Sequence, residues 1–541
     1  MSEQKSRSEY SSKEDNPLTA ELGVQKAEPK SQITPSVEQA AELKARTGES
    51  EARPPECEVR TAEFEARPDK GETLQKTESE TLPDKRETLH GAFDQGTVHE
   101  NIMSLARPML LAQLVGVLYN LVDRMFIGHL PEVSAYALTG IGVVFPLITM
   151  SNAFANWSGQ GGATLFSIAR GEGDQRRAQL IQGNAYFLQL LFSLGLMVTL
   201  SIFEAPLLNF CGVSPQTYEF AADYLRIYLW GTPFQLISLG MNPFISAQGF
   251  GRTAMFSVMI GALSNLILDP LFIFGFGLGI RGAALATVLS QLASGIWTLS
   301  FLMGKRALLK LENWSIRPYA THCREILQIG FANFVFQATT STTQAVSNSV
   351  LLSTGGDLHV AIMTVIASLR QIFSLPTQAM TNAAKPVLSF NYGAKKYPRV
   401  IECIFWMLRR TGFINLTAGL LLCLFPAPFM RLFTASPEII AEGVLPMRLY
   451  FCCFFFMSLQ TSGQSTFTAL GLAKEATFFS LLRKIFLLLP LTILLPRCPF
   501  LGVQGVYLAE SLSQLIGGTA CFATMWWRAG KRLQQGIDLR S

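Results

Sequence analysis

Stretches of apolar residues follow one another from about residue 102 to residue 527, and polar clusters separate them. Each stretch approaches or exceeds the roughly 20 apolar residues that a transmembrane helix needs. The pattern predicts an all-α polytopic membrane protein with twelve transmembrane helices. The predicted spans are 105–128, 136–165, 178–203, 217–248, 253–276, 280–303, 324–353, 359–389, 400–425, 438–469, 475–496 and 501–527.

The two halves of this apolar region repeat each other. The sequence LGIRGAALATVLSQL, which begins at residue 278, matches LGVQGVYLAESLSQL, which begins at residue 501. Each unit contains six spans, and because six is even the two units enter the membrane in the same sense. Parallel repeats of this kind occur in transporters, although a duplication without transport activity is an alternative. We predict two pseudo-symmetric six-helix bundles, an N-lobe at 101–304 and a C-lobe at 323–528, joined by a cytoplasmic linker at 305–322.

Charge distinguishes a terminal segment from this apolar body. Residues 1–100 hold 22 of the 39 acidic residues and 14 of the 44 Lys and Arg residues. The rest of the chain therefore carries 17 acidic and 30 basic residues, a formal charge of about +13. A charged segment with few apolar residues cannot bury enough surface to offset its chain entropy. We predict a disordered cytoplasmic tail over 1–100 and a second, short cytoplasmic tail over 529–541.

Basic residues are concentrated in the loops that follow even-numbered spans, whereas the loops after odd-numbered spans hold only about three of them. Loops rich in Lys and Arg face the cytoplasm. Both termini are therefore predicted to be cytoplasmic, in a multi-pass protein of the plasma (inner) membrane. The first apolar run begins near Ile102, which is too far along the chain for a secretory signal.

Residue types with catalytic or metal-binding potential form no recognisable arrangement in the sequence. The nine cysteines contain no CxxC pair, and the five histidines show no ligand spacing. We expect no enzyme activity, no resident metal or other cofactor, and no nucleic-acid partner. The expected partners are small-molecule substrates and membrane lipids, and the expected oligomeric state is a monomer.

Three acidic residues lie inside the predicted spans: Asp123, Asp269 and Glu510. A charged group at the centre of a bilayer costs about 2.5 to 3.5 kcal/mol on insertion scales and usually marks function. Asp123 and Asp269 each lie about seven residues from the outer end of a span, and Thr287 lies about seven residues into the following span. At 1.5 Å per residue, these three side chains share a plane roughly 10 Å below the outer surface.

Amide side chains accompany the first two acids. Asn265 precedes Asp269 by four residues and Asn120 precedes Asp123 by three, so each pair shares a helix face. Such a cluster could take up a proton, or it could bind a sodium ion through oxygen ligands. The predicted sodium ligands are Asp123, Asn265, Asp269 and Thr287. Pro270 would weaken the helix beside the acid and is a predicted hinge.

Structural roles are open alternatives for each acid. Asp269 could be held by neighbouring backbone, and Asp123 could pair with Arg124 near the interface. For Glu510 the structural role is favoured, because its counterpart in the first repeat is Thr287. The second repeat has leucine at the position of Asp269. The predicted coupling site therefore belongs to the N-lobe alone.

Four motifs resemble the multidrug and toxic compound extrusion (MATE) family of transporters: PMLLAQLVGVLYNLVDRMFIG, SIARGEGDQRRA, NPFISAQGFGRTAM and SNLILDPLFIFGFGLGIRGAALATVLS. The resemblance covers about 102–527 and points to the prokaryotic subgroup with a cation site in the N-lobe. It implies export of organic cations or other amphipathic compounds against H⁺ or Na⁺. The cation-coupling residues that it implies are Asp123, Asn242, Asn265, Asp269 and Thr287. Residues 326–353 and 444–470 lack the acids that another bacterial subgroup carries there.

The resulting hypothesis is a secondary active multidrug efflux transporter that works by alternating access. Adaptable aromatic, amide and Met side chains could surround the substrate. The predicted cavity residues are Tyr119, Asn120, Met241, Phe244 and Met259. One alternative is a flippase for lipid-linked precursors, which would need a cavity lined by basic residues. The candidates for that cavity are Arg370, Arg448, Arg483 and Lys484. A receptor or scaffold without transport activity is a third hypothesis.

Overall fold

The computed structural model describes residues 93–128, 134–211, 213–434 and 436–539, with the side chains of these ranges except those of residues 120–139 and residue 341. The regular secondary structure within these ranges is helical throughout. Residues 1–92, which make up most of the predicted disordered tail, lie outside the described residues.

The N-lobe contains the first six spans, close to their predicted positions. Its helices are α1 Val98–Gly128, α2 Ser134–Gly171, α3 Gln175–Ile202, α4 Glu204–Phe210, α5 Pro215–Ala247, α6 Gly251–Pro270 and α7 Gly279–Met303. Polar caps mark the helix starts in the sequence. The Asp174 carboxylate accepts a hydrogen bond from the Arg177 backbone N–H at 2.8 Å, at the start of α3. Ser214 and Thr217 form a capping box at the start of α5.

The C-lobe repeats this arrangement. Its helices are α8 Ala320–Gly393, α9 Tyr397–Leu424, α10 Pro426–Arg431, α11 Pro437–Phe451, α12 Phe454–Ala469, α13 Ala473–Leu481, α14 Leu489–Leu494, α15 Gln504–Met525 and α16 Lys531–Gln534. The 74 residues of α8 contain two spans. They are separated at Gly356, whose φ of 67° and ψ of −169° interrupt the helix. Glycine tolerates this conformation because it has no Cβ.

Twelve membrane-length segments can be counted in the described residues. Seven helices are long and apolar enough to cross a membrane by themselves, and the bent pair α11 and α12 makes an eighth. The second half of α8 is a ninth, and the more polar helices α2, α5 and α15 complete the set. The prediction of twelve helices in two bundles is confirmed.

Large apolar side chains cover the outer surface of both lobes. Ile202, Trp230, Phe413 and Phe486 each expose more than 60% of their surface. A soluble protein rarely exposes apolar groups so extensively. This surface is therefore suited to the hydrocarbon interior of a bilayer.

Two spans change their helical geometry along their length. In the N-lobe, α6 ends at Pro270 and continues as a π-helical turn at Leu271–Gly275. In the C-lobe, α13 continues as a π-helical turn at Leu482–Leu488. Proline removes a backbone donor, and π-turns are frequent at functional sites. The first turn follows Asp269, and the second contains Arg483 and Lys484.

The lobes touch at the ends that the charge pattern assigns to the cytoplasm. On α2 and α8, Gly161 lies against the carbonyl of Ile326, and Gly330 lies against the carbonyl of Trp157. The Trp157 indole Nε1 also donates to the Leu327 carbonyl at 2.8 Å. The absence of a Cβ at both glycines permits this close approach.

The terminal segments are ordered further than predicted. Phe93 is buried, and Asn101 Nδ2 donates to its carbonyl at 3.3 Å. Thr97 and Glu100 form a capping box at the start of α1: the Thr97 backbone N–H donates to the Glu100 carboxylate, and the Glu100 backbone N–H donates to Thr97 Oγ1. Hydrogen bonding with Thr97 lowers the pKa of Glu100. At the other end, the Tyr392 hydroxyl donates to Asp538 at 2.6 Å. The predicted boundary of the first tail, residue 100, is therefore several residues too late.

Candidate functional site

A cavity of about 850 Å³ lies between the lobes. Helices α1, α2, α5, α6 and α7 form its N-lobe wall, and α8 forms most of its C-lobe wall. The volume is in the range of cavities that hold drug-sized ligands. Its walls combine apolar side chains with amides and hydroxyls. The amide side chains are Gln113, Asn152, Asn156, Gln160, Gln235, Asn242, Asn265, Gln291, Gln371 and Asn382.

Asn265 and Asp269 meet beside this cavity, as their spacing predicted. The Asn265 Nδ2 donates to Asp269 Oδ1 at 3.0 Å, and both residues are at least 97% buried. Asn265 lines the cavity, as does Thr287 on the neighbouring helix α7. The Thr287 hydroxyl donates to the Ala283 carbonyl at 3.0 Å, which leaves its oxygen lone pairs available as acceptors. The wall therefore offers several oxygen atoms around one buried carboxyl group.

Two of the predicted site residues belong to the C-terminal part of α1. The side chains of Asp123 and Asn120 lie outside the described residues, although both positions belong to helix α1. Their assignment to the cation site and to the cavity wall stays a prediction. Tyr119, the residue before them, lines the cavity as predicted.

Asn242 lines the same cavity but does not join the Asp269 group. Its Nδ2 donates to the Ala254 carbonyl at 2.8 Å and to the Ser257 hydroxyl at 2.6 Å. Ser257 precedes Asp269 by twelve residues of helix, a distance of about 18 Å along the axis. In this structure Asn242 binds the opposite end of α6, and its place in the cation-coupling site stays a prediction.

Three predicted cavity residues lie elsewhere. Met241 and Phe244 are fully buried in the N-lobe core, where Phe244 packs edge-on against Phe166. Met259 is half-buried but is not part of the cavity wall. The helical phase explains the error, since Ser238, Asn242 and Ser246 turn the polar face of α5 to the cavity. On α6 the wall side chains come from Met255, Val258 and Ala262.

The N-lobe contains a polar network that was not predicted from the sequence. The hydroxyl of the buried Tyr228 donates to Gln235 Oε1, and Gln235 Nε2 donates to Asn152 Oδ1 at 2.8 Å. Tyr224 lies one turn from Tyr228 and also lines the cavity. A signal was present, because tyrosine and amide positions recur on α5 at helical spacing. Satisfied networks of this kind fix side chains in place.

Glu510 has a structural environment, in agreement with the favoured interpretation. Its Oε1 accepts hydrogen bonds from Arg483 Nη2 at 2.7 Å and from Gln514 Nε2 at 3.2 Å. Arg370 Nη1 lies 3.8 Å from the same oxygen. Among the described residues, none of the four basic candidates for a flippase lines the large cavity. Arg448 instead donates to the Cys423 carbonyl at 3.1 Å.

Lys385 is the single charged residue among the described side chains of the cavity wall. It lies in the second half of α8, and its Nζ donates to Asn382 Oδ1 at 3.1 Å. The C-lobe wall thus presents an amine to the cavity, whereas the N-lobe wall includes Asn265, the hydrogen-bond partner of the Asp269 carboxyl group. Lys385 was not among the cavity residues predicted from the sequence.

Two six-helix lobes around a central cavity, with a buried carboxyl group beside the wall of one lobe, define the architecture of a membrane transporter. The MatE family model matches residues 108–271 and 334–494, which is more than half of the chain. The chain belongs to this family, the MATE transporters of multidrug efflux.

Individual relatives agree with this assignment. Multidrug export protein MepA of Staphylococcus haemolyticus is 24% identical over 357 residues, covering 66% of this chain and 78% of MepA. MepA of Staphylococcus aureus strain MSSA476 is 22% identical over 424 residues, covering 78% and 93%. An outward-facing MATE multidrug resistance transporter has a TM-score of 0.76 at 22% identity, over 84% of this chain and 99% of its own. A MOP superfamily transporter from Pyrococcus furiosus has a TM-score of 0.77 at 22% identity, over 83% and 99%. These structures establish the shared fold.

Proposed function

We propose that the protein is a secondary active transporter that exports amphipathic organic compounds, among them organic cations, in exchange for H⁺ or Na⁺. The buried Asn265–Asp269 pair beside a cavity of drug-sized volume carries this proposal. Membership of the MATE family and the multidrug export function named for the MepA relatives support this class of substrate.

Asp269 is the proposed acceptor of the coupling ion. An ionised carboxylate inside a bilayer is costly, so binding of H⁺ or Na⁺ changes the energy of the helices around it. Asn265 holds one carboxylate oxygen in place. A proton would bind to the carboxyl group itself. Sodium would also take oxygen atoms from Asn265 and Thr287, and Asp123 is the further proposed ligand in both cases.

The π-helical turn after Pro270 is the proposed route from ion binding to movement. It begins two residues after Asp269, at a point where the regular hydrogen-bond ladder of the helix is interrupted. A change of charge at Asp269 can therefore bend the outer part of this span at low cost. That movement would change the shape of the cavity wall formed by α6 and α7.

Alternating access is the proposed mode of transport, and the contact between the lobes supports it. Their predicted cytoplasmic ends are packed together through Gly161 and Gly330. The cavity above this contact would release substrate to the outside, and the opposite rocking of the lobes would load it from the cytoplasm. This scheme assumes a protein in the plasma (inner) membrane with cytoplasmic termini.

Efflux from proteoliposomes tests the proposal. The full-length protein would be reconstituted with a fluorescent organic cation, and transport would be driven by a proton gradient or a sodium gradient in separate experiments. We expect one gradient to drive transport and Asp269→Asn to abolish the gradient-driven part. The reason is that the amide can neither bind a proton nor balance the charge of sodium.

A matched carboxylate variant provides the control. Asp223→Asn removes a surface ion pair with Arg281, at 2.8 Å, without touching the cavity, and it should retain gradient-driven transport. Undiminished gradient-driven transport by Asp269→Asn would refute the proposed coupling role. Absence of transport by the unmodified protein with either gradient would refute the antiport itself.

A further inference from the structure

A buried cluster of charged side chains occupies the core of the C-lobe, apart from the large cavity. Glu510 on α15 forms an ion pair with Arg483, and Arg370 from α8 lies 3.8 Å away. Lys484, the neighbour of Arg483, is also buried, with only 3% of its surface exposed. Two elements, α8 and the π-helical turn Leu482–Leu488, therefore bring three cations to the one carboxylate on α15.

The charges in this cluster do not balance. Among the described residues, Glu510 is the one carboxylate that interacts with Lys484 or Arg370. Three cations and one anion leave two positive charges in excess inside the membrane. Uncompensated buried charge is strongly destabilising, so a folded lobe needs a further negative charge or the loss of a proton.

A small polar cavity adjoins the excess charge. Its volume is about 20 Å³, and Lys484, Arg370, Tyr450 and Glu510 are among its lining residues. Within the described residues, Lys484 Nζ and the Tyr450 hydroxyl donate no hydrogen bond, and the buried Arg370 Nε has no acceptor. A space of roughly 10 to 15 Å³ is enough for one water molecule. The cavity therefore has room for one particle of about that size, and its walls carry hydrogen-bond donors that lack acceptors.

We propose that this cavity binds a small monovalent inorganic anion, chloride, between Lys484, Arg370 and Tyr450. Chloride is only slightly larger than water, accepts hydrogen bonds from all three groups, and halves the excess charge. Polyatomic anions such as sulfate exceed the available space. The anion joins α8, α11 and the turn Leu482–Leu488, so its main effect is to stabilise the C-lobe. The proposal is independent of the coupling ion in the N-lobe.

Thermal unfolding of the full-length protein in detergent tests the site. Chloride would be titrated against gluconate at constant ionic strength, with bromide and sulfate as comparison anions. We expect the Tm to rise saturably with chloride and with bromide, and to stay at the gluconate value in sulfate. Lys484→Gln should lose this dependence on chloride. Lys474→Gln, which changes an exposed lysine outside the cluster, should retain it.

Line broadening of the ³⁵Cl NMR signal gives an independent measurement of binding. The unmodified protein should broaden the signal more than Lys484→Gln does, and bromide should reverse the excess. If Lys484→Gln does not fold, Tyr450→Phe serves in its place, because loss of one neutral donor should weaken chloride binding about fivefold. Equal broadening by the unmodified protein and the variant, with no saturable effect of chloride on Tm, would overturn the proposal. A Tm that depends on pH and not on chloride would also overturn it, since proton loss from Lys484 would then balance the charge.

Discussion

Gly330 is the position where a single methyl group should do most to separate the lobes. A Cβ at this residue would lie 1.7 Å from the Trp157 carbonyl oxygen, and real Cβ contacts do not fall below 3.0 Å. In Gly330→Ala the backbones of α2 and α8 must therefore move apart by about 1.3 Å at this point. The residues affected are those that close the predicted cytoplasmic end of the cavity.

The energetic cost can be estimated from the contacts that this movement breaks. The hydrogen bond from Trp157 Nε1 to the Leu327 carbonyl would lengthen from 2.8 Å to as much as about 4.1 Å and be lost. A lost hydrogen bond costs about 1 kcal/mol, and overpacking typically costs a further 1 to 3 kcal/mol. The lower end of the sum, about 2 kcal/mol, corresponds to a shift of roughly 30-fold toward the state with separated cytoplasmic ends.

Distances between spin labels would measure this shift. Labels at the exposed positions Arg176 and Glu402, in a background without native cysteines, report on the separation of the two lobes. We expect the longer distance to gain population in Gly330→Ala. The control is Gly142→Ala on α2, where a Cβ would have no atom within 4 Å. An unchanged distance distribution in Gly330→Ala would refute the idea that this close contact holds the cytoplasmic side shut.

Three further predictions follow from the side chains around the two cavities. Phe244→Ala should lower the free energy of unfolding by about 3 to 5 kcal/mol in chemical unfolding, because it empties a core position. Met255→Ala should instead change substrate affinity and leave the free energy of unfolding nearly unchanged. The reverse result would place Phe244 in the cavity wall. Lys385→Gln should raise the apparent affinity for organic cations relative to neutral substrates in competition transport assays, since it removes a like charge; an equal effect on both would contradict this. Glu510→Gln should lower the Tm sharply, because it removes the carboxylate that partly balances the cations of this cluster; a Tm equal to that of the unmodified protein would show that this carboxylate is dispensable.

The number and position of the spans could be predicted because the bilayer imposes a length on every apolar run. The same logic identified Asp269 and its partner Asn265, since the two residues share one helix face and need no distant contact. The start of α1 was less predictable. Phe93 and Thr97 follow a charged segment, and only tertiary packing reveals that they belong to the folded lobe.

Helical phase and long-range pairing account for the errors. Met241 and Phe244 have the residue types of an adaptable substrate site, but the neighbours of Met241 on α5 turn the polar face toward the cavity and these two residues toward the core. The partners of Glu510 come from α8 and from the turn Leu482–Leu488. Contacts between elements so far apart in the chain leave no local pattern in the sequence.

The charged cluster of the C-lobe also has a consequence for the response to voltage. Its side chains carry two positive charges in excess, or one when an anion is bound. Moving one elementary charge across the whole membrane potential involves about 2.3 kcal/mol per 100 mV. If rocking of the lobes carries the cluster through a tenth of the membrane field, 100 mV changes the balance between the two states by roughly 0.2 kcal/mol per charge. The C-lobe would then sense the electrical component of the membrane gradient, while the coupling site proposed for the N-lobe would sense its chemical component.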